Sequence, residues 1–84
     1  MHPSDPWKAI RAWAQVSGAA LETREDALKE VERCLDVIYA RPRSLMAATA
    51  IGEAVIWLTV AAEVADVSIE TCISKALLKK MKEL

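Results

Sequence analysis

Two acidic side chains, Glu30 and Glu53, carry most of the chemistry that this 84-residue chain could perform. Across residues 45–62 the only polar side chains are Thr49, Glu53 and Thr59, so Glu53 sits midway along an apolar run. An ionised carboxylate in such a place needs a cation, a metal ion or a proton. Three readings stay open: an ion pair with a basic side chain of the preceding helix or a place at a wet edge, ligation of a divalent metal or contact with a ligand, or a protonated buried acid. Glu30 borders an apolar stripe, one turn from Ala27 and Cys34. If the segments bearing Glu30 and Glu53 pack antiparallel, as their short link favours, the two carboxylates could face each other and make a magnesium site. Lys29 and Arg33 beside them would lower that affinity. The same cations could instead pair with Glu30 and Glu53, or hold a phosphate directly.

Other chemistries find little support. The single histidine, His2, precedes the first helix, and no serine–histidine or cysteine–histidine nucleophile can be assembled around it. There is no P-loop and no glycine fingerprint for a dinucleotide. The net charge of −1 offers no global field for nucleic acid or an anionic membrane, so neither is expected as a partner. Lys75, Lys79, Lys80 and Lys82 read as a cationic helix end. Trp7, Trp13 and Trp57 read as core or interface anchors, with base stacking as the alternative. Cys34 and Cys72 lack metal-ligand spacing and read as small buried apolar residues in a reducing compartment. No basic region followed by an apolar stretch opens the chain, and a cytoplasmic location is expected.

The elements that must position these groups are helices. The chain has two glycines, three prolines and no asparagine, too few turn formers for a strand-rich fold. Asp5 caps and Pro6 opens a helix over 6–16, with Trp7, Ile10, Trp13 and Ala14 on one face and Gly18 as its stop. Thr23 and Asp26 form a capping-box-like start for a helix over 24–40, with Ala27, Val31, Cys34, Leu35 and Ile38 inward and Pro42 as its end. Glu25 and Lys29 make an i,i+4 pair on it. Ser44 caps an apolar helix over 45–65, and Ser68 caps a last helix over 69–84 with Ile69, Cys72, Ile73, Ala76, Leu77 and Met81 as its core stripe. The expected fold is therefore all-α, a four-helix, bundle-like single domain over 1–84. The long apolar run lies near the lower length limit for a membrane span, and Glu53 at its midpoint would be costly in lipid. The hydrophobic fraction is 54%, more than four short helices can hide among themselves, and a homo-oligomer is expected.

Residues 28–80 resemble the MazG-like, all-α nucleoside triphosphate pyrophosphohydrolases. The segment from Glu30 through Arg33 to Ile38 looks like the family's first metal helix, usually E-E-V-G-E-L-x-x-A-I. The segment Ile51-Gly52-Glu53-Ala54-Val55-Ile56-Trp57-Leu58 looks like the second, usually E-x-G-D-V-L-W-x-L. Residues 61–78 look like its acidic-capped last helix. The resemblance implies Mg²⁺ held by acidic side chains and cleavage of a nucleoside triphosphate to monophosphate and pyrophosphate. Carried over, Glu30 and Glu53 become the catalytic and metal-ligating residues, while Lys29, Arg33 and Trp57 would contact the nucleotide. Lys29 stands where the first glutamate is expected, Arg33 replaces the third, Ala50 replaces another acid, and Glu53 replaces an aspartate. Each carboxylate-to-cation exchange reverses a Coulomb term of roughly 4 kcal/mol at ~4 Å and an effective dielectric near ~20. The expectation is a degenerate MazG-like domain with weak or no hydrolase activity that binds a nucleotide or plays a regulatory part. One alternative is an active enzyme with a rearranged site that adds Asp26 or an acid from another subunit. The other is a protein–protein interaction module without a ligand.

Overall fold

Each helix begins where a short polar side chain takes over a backbone donor, as the first turn of a helix requires. The Asp5 carboxylate accepts from the N–H groups of Trp7 and Lys8, Thr23 Oγ1 from Asp26, Ser44 Oγ from Ala47, and Ser68 Oγ from Thr71. The resulting helices are α1 (Pro6–Ser17), α2 (Arg24–Ala40), α3 (Leu45–Val64) and α4 (Ile69–Lys82). The computed structural model describes residues 5–84; His2 and its expected place ahead of the first helix lie outside them. Among the described residues there is no strand, and the chain is all-α.

Helices end as locally as they begin. Gly18 follows α1 at φ 83°, a left-handed conformation that glycine adopts without penalty. A 3-10 turn over Ala19–Leu21, not foreseen from the sequence, then carries the chain to Thr23. After α3, the N–H of Val67 donates to Ala62 and that of Asp66 to Glu63. This is the Schellman pattern, with Asp66 at φ 61° where glycine is usual.

α2 and α3 form an antiparallel hairpin, seen in which residues meet. Near its open end Ala27 packs with Val60 and Ala61, and near the link Cys34 packs with Ala50 and Ala54. Small residues on both helices let the two backbones approach closely. α1 and the 3-10 turn after it cover one side of the open end, adding Ala14 and Ala19 respectively to the first cluster. Trp57 packs against both clusters and meets Trp13 edge to face, with centroids 5.6 Å apart and planes at 85°. Thr59, the one buried polar side chain described, donates to Val55 O at 2.8 Å and so leaves nothing unpaired.

The expected core stripe of α4 is not a core. None of its residues is buried, Cys72 is exposed rather than packed, and the helix is held by packing on α3 and by an ion pair from Glu70 to Arg11 of α1. Hydrophobic periodicity marks a helix's apolar face but not what lies against it. α3 is apolar enough and long enough to cross a membrane, with a mean hydropathy of 1.8, although a third of that window is buried inside the chain.

Candidate functional site

On the side of the hairpin near the α2–α3 link lies a depression of about 240 Å³, lined by Arg33, Cys34, Val37, Met46, Ala50 and Glu53. Of the expected site residues it brings together Arg33 and Glu53, while Glu30, Lys29 and Trp57 do not line it. Arg33 and Cys34 come from α2, Ala50 and Glu53 from α3, and the antiparallel packing sets them at one level. Glu53 is exposed at the margin of α3, which is the wet-edge reading of this acid rather than the buried one.

Glu30 is committed within its own helix. Its carboxylate accepts from Arg33 Nη2 one turn on, an i,i+3 ion pair at the surface. Cys34 reports the charges around it. Burial pushes its thiol up from the ordinary value, Glu53 adds to that, Arg33 opposes it, and Glu30 adds again. Both carboxylates and the guanidinium therefore act on one buried sulfur, held as a neutral thiol unsuited to nucleophilic work. Asp26, one turn before Glu30, is exposed in the first turn of α2. Lys29 is exposed and makes no ion pair with Glu25, so that expected bridge does not form. Trp57 belongs to the packing between α1, α2 and α3 and does not line the depression. Among the described residues, no three His, Cys, Asp or Glu side chains converge to hold a metal ion.

A second polar centre was missed from the sequence. Arg11 Nε donates to Glu63 at 2.8 Å and its Nη2 to Glu70 at 2.5 Å, joining α1, the end of α3 and the start of α4. Its hydrogen bonds to Glu63 first and Glu70 second raise the guanidinium above its already high ordinary value, so it is charged wherever the fold persists. Beside it lies a cavity of about 140 Å³ bounded chiefly by Ile10, Ala14, Val60 and Val64. The only sequence signal for this cluster was an arginine opposed by unpaired acids on distant helices, and separations of 52 and 59 residues hide such partners.

No protein-family model, curated protein or solved structure matches the chain significantly.

Proposed function

We propose that this chain is a MazG-like helical module in which an internal ion pair has taken the place of the metal-dependent machinery, so that it binds a phosphate-bearing ligand and does not hydrolyse it. The observation that carries this reading is the Glu30–Arg33 ion pair, whose Arg33 lines the same depression as Glu53. Mg²⁺ demands several oxygen ligands in near-octahedral array. Glu30 is engaged by a cation, Ala50 offers no oxygen, and Glu53 stands alone on its helix face, so the residues present do not fit the ion. A guanidinium does fit phosphate. Arg33 has five N–H donors in a planar fork, its side chain is 69% exposed, and Glu30 engages only its Nη2. With a nucleotide's phosphate on Arg33, its less polar part could rest against Val37 and Met46, which line the same depression.

The expected outcome of incubation with Mg²⁺ or Mn²⁺ and each common nucleoside triphosphate is no pyrophosphate release above the blank. Robust release that Glu53→Gln abolishes would overturn the proposal in favour of a live enzyme with a rearranged acidic site. A second reading, an interaction module without any small ligand, is favoured by the exposed apolar faces of α3 and α4. Thermal shifts against a nucleotide panel separate the two, because a ligand specific to the folded chain raises its apparent stability. A flat panel supports the second reading.

A further inference from the structure

The apolar residues left uncovered on α2 and α3 are not scattered. Leu28 and Leu35 follow Ala27 and Cys34 by one position, and Ile51 and Val55 follow Ala50 and Ala54 by one position. A step of one residue turns a helix by about 100°. In an antiparallel pair the same turn on both helices points to the same side, so these four side chains share one face of the hairpin. Leu58, one turn beyond Val55, extends it. All five are between 39% and 53% exposed. α1 lies on the opposite side, packed through Trp57, Val60 and Val64, so nothing in the described chain covers this face.

α4 carries the complement. Its stripe of Ile69, Cys72, Ile73, Ala76 and Leu77 has the spacing of a helix face seeking a partner, and every residue after Ile69 is exposed. Lys75, Lys79 and Lys82, at i, i+4 and i+7, border this stripe. Glu25, Glu32 and Asp36 border the Leu28–Leu35 edge of α2 with matching helical spacing. Among the described residues, none of these six charges forms an ion pair within the chain.

The surface area says how much is missing. The chain exposes 6589 Å². A compact monomer of its 9.2 kDa would expose about 4,900 Å². The surplus of about 1,700 Å² per copy matches in size what each partner contributes to an obligate homodimer, whose interfaces bury roughly 2,000–5,000 Å² in total. The radius of gyration, 13.8 Å, likewise exceeds the about 12 Å expected for this length.

We propose that two copies of this chain exchange their last helices: α4 of each copy lies on the Leu28–Leu35–Ile51–Val55–Leu58 face of the other, with its lysine stripe against the acidic edge of α2. The contact is reciprocal, so the dimer closes on itself and does not grow into a fibre.

Charge reversal tests it on the full chain. Glu32→Lys with Asp36→Lys makes one variant, and Lys79→Glu with Lys82→Glu makes the other. All four positions are exposed, so circular dichroism should show unchanged helix content. Sedimentation or light scattering should find the unaltered chain dimeric and each variant's dimer weakened by about tenfold or more, since like charges then face each other. An equimolar mixture of the two variants should dimerise again, because each α4 then meets a face of opposite charge. A monomeric unaltered chain, as when α4 folds back on its own hairpin, overturns the proposal. So does a dimer indifferent to both reversals, or a mixture no tighter than its components.

Discussion

At Arg33 a guanidinium that lines the same depression as Glu53 pairs with the Glu30 carboxylate one turn back on its own helix. Exchanging that cation for an acid should create a divalent site where none now fits. Arg33→Glu is expected to give a chain whose melting temperature rises with Mn²⁺. Saturation at ~10 times the dissociation constant is worth about 1.4 kcal/mol, while the unaltered chain should not respond. An indifferent variant would mean that Glu30 and Glu53 stand too far apart to share an ion. The sequence exposed Glu53 as an intruder in an apolar run, but left open where it would sit. A helix that is apolar on nearly every side gives no sign of which edge its neighbours leave wet. The two cysteines teach the same lesson: both occupy apolar stripes, yet Cys34 is buried against α3 and Cys72 is exposed.

At the scale of elements the sequence was close to sufficient. Asp5, Thr23, Ser44 and Ser68 announced four helix starts, and each accepts the backbone bond that its type promises. Caps act within four residues, so no distant partner can overrule them cheaply. The end of α3 was read one residue long, at Ala65 rather than Val64, because its stop is conformational and Asp66 does not advertise a left-handed turn. That choice carries a penalty, since a Cβ crowds the neighbouring carbonyl in this conformation. Asp66→Gly should therefore stabilise the chain by about 1 kcal/mol, raising its melting temperature by roughly 4–8 °C. Calorimetry would check it, and a lower melting temperature would show that the aspartate side chain holds the turn in some other way. The 3-10 turn at Ala19–Leu21 had no comparable signal, being three small or apolar residues strung between Gly18 and the Thr23 cap.

Over the whole molecule, what escaped the sequence was the relation between α4 and the rest. Its heptad-like stripe and basic end are plain in the residues, but periodicity is silent on whether the partner belongs to the same chain. The excess surface bears on that question, and it has a thermodynamic signature. If stability depends on a second copy, the melting temperature must climb with protein concentration by mass action. Differential scanning at increasing dilution is expected to show this drift, and a constant melting temperature would mean that one copy is stable alone. The joint at Arg11 bears on the same architecture. One guanidinium grips an acid at the end of α3 and another at the start of α4, while its own backbone belongs to α1. The bearing of the last helix is thus steered from the first, like a tiller linked to a rudder across the length of the hull. Removing α1 would take away this tie and leave α4 held only by its packing on α3.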